Sequence, residues 1–208
     1  MKIKPLIYYV YINGDWQQIE LPIEVTEMRV GADPDQCEIQ MDSSVADEVQ
    51  VLMKRIGSVW YFFELGKKPM MKVNGIPKRQ AKLEPRSSLV IHLGAFIFIF
   101  ATKSDKLVLH QTTKLDPQFG PPKDGEFGLK GNNQELRFPQ ESLCIIGSNP
   151  ICNFNVPVKS LFCGFINFHN GKFIFNPLVF NNEIKVSING LSATEPVKIK
   201  PNNFIVLD

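Results

Sequence analysis

Cysteine is scarce in this chain of 208 residues: there are four, Cys37, Cys144, Cys152 and Cys163, and none form a CxxC pair. Each lies in or beside an apolar run, so buried free thiols in a reducing compartment are expected, not a zinc site. Histidine is as rare. His92, His110 and His169 stand too far apart to read as a ligand set, and His169-Asn170-Gly171 reads as a hairpin turn. Net charge is nearly absent, with 23 basic against 21 acidic residues, which leaves no electrostatic footprint for nucleic acid or an anionic membrane. Long apolar runs are missing too. The most apolar stretch, Leu89 to Ala101, is too short to span a bilayer and holds His92 and Gly94; it reads as two strands around a Gly94 turn. Leu6 to Ile12 follows a basic start but leads to no small-residue cleavage site, so no signal peptide is expected. No stretch carries helical periodicity. No nucleophile, paired carboxylates, glycine-rich phosphate loop or metal spacing can be found, so no enzyme, cofactor or metal is expected.

What the chain does have is short strands, turn signals and a long repeat. Leu143 to Val156 reads as a buried strand, a turn at Gly147-Ser148-Asn149-Pro150 and a second strand. Glu27 to Met41 is an upstream copy: Gly31 answers Gly147, Pro34 answers Pro150, and Cys37 answers Cys152 with one residue gapped. Glycine here is read as supplying unusual backbone angles, and proline as fixing φ and stopping the strand. Gly14 and Pro22 are paired with Gly131 and Pro139. Val73-Asn74-Gly75-Ile76 is paired with Ile188-Asn189-Gly190-Leu191, and Lys82-Leu83-Glu84-Pro85 with Lys198-Ile199-Lys200-Pro201. All lie about 116 positions apart, a period too long for a solenoid and fit for a duplicated domain. The expected organisation is a first domain over residues 1–112, a Pro/Gly linker over 113–124 and a second domain over 125–208. The fold class is all-β: two tandem antiparallel β-sandwiches. The second copy stops near the equivalent of His92, so it is expected to lack its last strand and to offer a sheet edge for strand pairing. Lys106 to His110 is the nearest candidate filler.

These residues carry a family resemblance. Each half resembles a forkhead-associated (FHA) domain, an eleven-stranded sandwich that reads phosphothreonine peptides through loops at one end. Val30-Gly31 and Ile146-Gly147 match the family's first strand end, and Val73-Asn74-Gly75 and Ile188-Asn189-Gly190 its last turn; Glu64 has the family's spacing before Val73. The phosphate-handling residues that the resemblance implies are mostly replaced. Its arginine becomes Ala32 and Ser148, and its loop asparagine becomes Pro69 in the first copy. Its serine is matched by Ser160 in the second copy and its histidine by Cys163. The same register puts Val45 and Glu48 there in the first copy, with Ser44 one residue away. Asn181 or Asn182 could stand for the loop asparagine in the second copy.

Candidate residues of a phosphopeptide-like loop face are therefore Ser44, Lys67, Lys68, Ser148, Asn149, Lys159, Ser160, Asn181 and Asn182. Against each stands a plainer reading, a loop serine bonding its own backbone or a solvated lysine. The leading expectation is a non-catalytic protein-interaction or scaffold module without the family's phosphothreonine recognition, cytoplasmic or, in a eukaryote, nuclear. One alternative is a phosphopeptide reader acting through Ser160. Another is a structural component of a larger assembly, such as a secretion-system ring protein.

Overall fold

The computed structural model describes residues 6–12, 15–84, 87–101, 109–111, 126–131, 134–139, 143–178 and 184–208. Among them the chain is all-β, with no helix and so none long and apolar enough to cross a membrane. It divides into two compact units, Met1–Lys103 and Ser104–Asp208.

The first unit begins with an antiparallel hairpin of β1 (Leu6–Ile12) and β2 (Asp15–Leu21). Then come β3 (Glu27–Gly31), β4 (Ile39–Gln40), β5 (Val51–Ile56), β6 (Val59–Glu64), β7 (Met71–Val73), β8 (Ile76–Pro77), β9 (Gln80–Leu83), β10 (Ser88–Leu93) and β11 (Phe96–Ala101). They form two sheets, ordered β2-β1-β11-β10-β7-β8 and β4-β3-β5-β6-β9. Every pairing is antiparallel except β3–β4, a short parallel pair that the sequence did not announce. β6 shows why these are strands: Trp60, Phe62 and Glu64 are buried, while Tyr61 and Phe63 between them are half-buried, the period of two of a pleated chain. Facing rings fill the core, with Phe100 5.3 Å from Tyr8 and 4.9 Å from Phe62 between centroids. Burying one such ring stabilises by roughly 1.5–3 kcal/mol. Burial also pushes the Tyr8 hydroxyl up to about 12.

The second unit holds β12 (Leu109–Gln111), β13 (Glu126–Gly131), β14 (Gln134–Pro139), β15 (Cys144–Gly147), β16 (Phe154–Asn155), β17 (Gly164–His169), β18 (Lys172–Pro177), β19 (Val186–Ile188), β20 (Leu191–Ser192), β21 (Val197–Ile199) and β22 (Ile205–Leu207). Its five-stranded sheet, β16-β15-β17-β18-β21, repeats the order of β4-β3-β5-β6-β9, parallel pair included. The remaining strands form two groups of three, β12-β14-β13 and β20-β19-β22. β12 belongs with this unit, whereas the sequence had grouped it with the first. It lies along β14, not beside β13 or β22, so Leu109 and His110 do not take the filler position expected of them. The linker over 113–124 and residues 181 and 182 lie outside the described residues.

The Asn-Gly turns close as read. Asn74 and Gly75 have φ of 50° and 81°, and Asn189 and Gly190 have 52° and 80°, the left-handed pair of a two-residue hairpin. In both copies the asparagine also reaches across. Val90 N–H donates to Asn74 Oδ1 and Phe204 N–H to Asn189 Oδ1, each at 2.9 Å. The first hairpin is less well matched. Its turn-closing pairs are Ile12↔Asp15 and Gly131↔Gln134, so Gly131 takes the place of Ile12 and not of Gly14.

Candidate partner-binding loop face

The repeated glycine at the end of β3 and β15 sets the geometry of the loops. Neither Gly31 nor Gly147 has a positive φ. Their reason is room. A Cβ on Gly31 would stand 2.2 Å from Glu48 O and 2.8 Å from Val49 Cα; on Gly147 it would stand 2.2 Å from Leu161 O and 2.8 Å from Phe162 Cα. The returning loop lies directly on the glycine, which corrects the conformational role read from the sequence.

Hydrogen bonds on either side of this contact align the two copies. Ala32 N–H donates to Asp47 O at 3.0 Å, and Ser148 N–H to Ser160 O at 3.3 Å. Asp33 N–H donates to Glu48 O and Asn149 N–H to Leu161 O, both at 3.1 Å; Gln50 N–H donates to Val30 O and Cys163 N–H to Ile146 O, both at 2.8 Å. Cys37 Sγ lies 3.2 Å from Glu48 O, and Cys152 Sγ 3.6 Å from Leu161 O, so the one-residue gap between these cysteines is borne out. By this register Asp47, not Val45 or Ser44, answers Ser160, and Gln50, not Glu48, answers Cys163. Sequence reasoning missed both residues. The first copy's loop is longer, and only the backbone contacts at its end reveal the register.

In the first unit Gln50 and Glu64 knit two loops together from within. Gln50 is buried, and its Nε2 donates to Glu64 Oε1 and to Lys68 O, each at 3.1 Å, while its Oε1 accepts from Asp47 N–H at 3.2 Å. Glu64 Oε1 also accepts from the Met70 and Met71 amides, and the Asp47 carboxylate accepts from Lys67 N–H at 2.6 Å. Pro69 sits inside this arch with no N–H to offer. Lys67 and Lys68 are exposed. Ser44 N–H donates to Asp42 Oδ1 at 2.7 Å, and the Ser44 hydroxyl bond holds the Asp42 carboxyl below its ordinary range. From Ala32 to Gln50 the chain carries Asp33, Asp35, Glu38, Asp42, Asp47 and Glu48 and no lysine or arginine.

The second unit's loops differ in charge and in bonding. Lys159 is exposed and is the only charged residue between Ser148 and Cys163. Ser160 is buried and its hydroxyl donates to Phe162 O at 2.9 Å; the Ser148 hydroxyl donates to Ser160 O at 2.9 Å. Asn149 is buried and its Oδ1 accepts from Ile151 N–H at 3.0 Å, an Asx turn like the one Asp33 makes with Asp35 N–H. All four cysteines are free and buried. Desolvation raises the Cys144 and Cys152 thiols far above their ordinary value and Cys163 to about 12. These loops bring together Ser148, Asn149 and Ser160, but through backbone bonding that faces inward.

Two sheets of six and five strands, closed by an Asn-Gly turn and carrying long loops between β3, β5 and β7, make up the first unit. The fold resembles that of forkhead-associated domains. No family model matches the chain, and no curated protein matches it. Solved FHA domains do. That of the CT664 protein from Chlamydia trachomatis is 18% identical, with a TM-score of 0.40 over 47% of this chain and 96% of the other. The FHA domain of Rv0020c is 17% identical, with a TM-score of 0.39 over 46% and 90%. The first FHA domain of Mycobacterium tuberculosis Rv1747 is 12% identical, with a TM-score of 0.36 over 47% and 96%.

Proposed function

We propose that the chain is a non-catalytic protein-interaction module of two FHA-like units, neither of which recognises phosphothreonine in the family's way. The observation that carries this reading is the equivalence of Asp47 and Ser160 by their backbone contacts. In the first unit it puts a carboxylate where the resemblance calls for a hydroxyl donor, and Ala32 where it calls for an arginine. A phosphothreonine carries close to two negative charges and needs donors. Asp47 offers charge of the wrong sign amid further acidic residues. In the second unit the Ser160 hydroxyl has one proton, and Phe162 O holds it. Exposed Lys159 supplies a point charge that salt screens and that fixes no geometry. Partners are then proteins bound by other features of the two units.

A titration of the full chain with a degenerate phosphothreonine peptide library, against its dephosphorylated twin, tests the reading. A preference below about tenfold is expected, which corresponds to about 1.4 kcal/mol. A larger preference that Ser160→Ala abolishes would overturn it in favour of a phosphopeptide reader.

A further inference from the structure

The small net charge of the whole chain, +2, hides a segregation within the first unit. From Val51 to Leu83 six lysines and two arginines stand against one acidic residue, Glu64, whose side chain is buried. Part of that charge frames an apolar surface. In β6, Trp60, Phe62 and Glu64 point into the unit, so Val59, Tyr61 and Phe63 point out from the five-stranded sheet, and all three are half-buried. Strand register sets their neighbours on this outer face. Tyr61 lies between Lys54 and Lys82, and Phe63 lies between Leu52 and Gln80, with Arg29 beyond Leu52. The Tyr61 and Phe63 ring planes are 11° apart, with centroids 6.3 Å from each other. Ile56, opposite Val59, is 59% exposed, and Leu65, just past the end of β6, is 54% exposed. The lysines flanking Tyr61 stand two strand spacings apart, about 9–10 Å. Both are exposed, and their ion pairs, Lys54 with Glu27 at 3.9 Å and Lys82 with Glu84 at 2.6 Å, are open to solvent and hold weakly. An aromatic and aliphatic centre with a charged margin is the composition of a protein-docking surface.

We propose that the outer face of β5, β6 and β9 docks a segment of a partner protein in which apolar or aromatic residues alternate with carboxylates. The apolar side chains cover Tyr61 and Phe63 and the open Ile56 and Leu65, and the carboxylates meet Lys54 and Lys82 on either side. Charge placement favours a peptide over a nucleic acid. Glu27 and Glu84 sit beside the two lysines and repel a continuous row of phosphates, whereas carboxylates set only opposite the lysines avoid them. The surface rests on the reading of the chain as a protein-binding module and gives that module its kind of partner.

The probes are three labelled degenerate peptide pools, all without threonine, titrated with the full chain at low salt. The first alternates aspartate or glutamate with phenylalanine, tyrosine or leucine. The second puts lysine or arginine in place of the acids, and the third puts serine or glycine in place of the apolar residues. The first pool is expected to bind saturably, at least about tenfold tighter than either of the others. Lys54→Ser together with Lys82→Ser should weaken it by about tenfold, and Phe63→Thr by as much, while Lys172→Ser at the exposed start of β18 leaves it unchanged. Both replaced lysines are exposed, so the double variant keeps its fold, which an unchanged urea midpoint by tryptophan fluorescence verifies. No saturable binding, equal binding of either control pool, or indifference to the lysine replacements overturns the proposal. An oligothymidylate that binds tighter than the first pool, and loses its affinity in the double variant, would assign the face to nucleic acid. Sedimentation that changes with concentration in the parent chain but not in the double variant would assign it to the acidic loop of a second copy. Either result overturns the proposal as well. Because the pools carry no threonine, these failures leave the phosphothreonine titration unaffected, and a phosphothreonine preference leaves docking unaffected, so the two readings fall separately.

Discussion

Replacing Gly31 by alanine should damage the first unit through a collision, not through backbone strain. The new Cβ would stand 2.2 Å from Glu48 O, 2.8 Å from Val49 Cα and 2.9 Å from Gln50 N, all backbone atoms that cannot swing aside. The loop must retreat by roughly 1 Å to reach an ordinary contact, and forced repacking of that kind costs about 1–3 kcal/mol. Three bonds bracket the contact: Ala32 N–H to Asp47 O, Asp33 N–H to Glu48 O, and Gln50 N–H to Val30 O. Losing two of them adds about 1 kcal/mol each, for a total of about 3–5 kcal/mol. Both tryptophans, Trp16 and Trp60, lie in the first unit, so urea unfolding of the full chain followed by tryptophan fluorescence reports that unit. Gly57 is the control, with φ of 62° and nothing within 4 Å of a built Cβ. Gly57→Ala should cost only about 1–2 kcal/mol of left-handed strain, and Gly57→Asn less than that, because asparagine tolerates the conformation. Gly31→Asn should be at least as harmful as Gly31→Ala. A cost for Gly31→Ala below about 1 kcal/mol, or rescue by asparagine, would refute the steric argument.

Asn189→Ala should destabilise the second unit by about 1–2 kcal/mol, since it loses the bond from Phe204 N–H and leaves alanine at positive φ; far-ultraviolet circular dichroism in urea measures it. Gln50→Leu should unlace the β4–β5 loop from the β6–β7 loop, seen as faster amide exchange at Asp47 and Met70 with little change in the β1–β11 pairing. Burial holds the Cys144, Cys152 and Cys163 thiols above their ordinary 9.0, so only the unfolded chain ionises near that pH. Stability from this source is complete below the ordinary value and falls as pH rises past it, so the second unit's urea midpoint should drop between pH 8 and 10; a rise would contradict the burial. Ala32→Arg combined with Asp47→Ser should raise the first unit's preference for phosphothreonine over threonine peptides by about tenfold, measured against the parent chain.

Local chemistry made the turns legible. Asn-Gly between alternating apolar residues states its own conformation, and Asn74 and Asn189 adopt it. The ring alternation of β6 was as plain, because a half-buried strand writes its period into four consecutive aromatic residues. Short edge strands were not legible. β9 is Gln80-Ala81-Lys82-Leu83, with only Leu83 buried, and nothing in so polar a run distinguishes a strand from a loop. The loop register failed for a different reason. Counting the register along the sequence puts Val45 at the place of Ser160, and matching by residue type picks Ser44 beside it; neither method points to Asp47. The chain instead matches them by which carbonyl accepts from the residue after the glycine, a contact made across the fold. The same distance hid the purpose of Gly31, which only the returning loop explains.

The glycine contact also bears on how such a face can diverge. What presses on Gly31 and Gly147 is a main-chain oxygen, from Glu48 in one unit and Leu161 in the other, a charged residue and an apolar one. Every amino acid carries that oxygen, so the anchor is indifferent to mutation on the loop side and demanding only of the glycine. Loop length is free as well, since the stretch between anchor and glycine is longer in the first unit than in the second. Two units that share this strand order can therefore differ in the charge and reach of their loops, as the acidic first face and the nearly neutral second face do, while their strands keep one register. Drift in this chain should concentrate between the anchors, and a glycine lost at either position should be the rarest change of all.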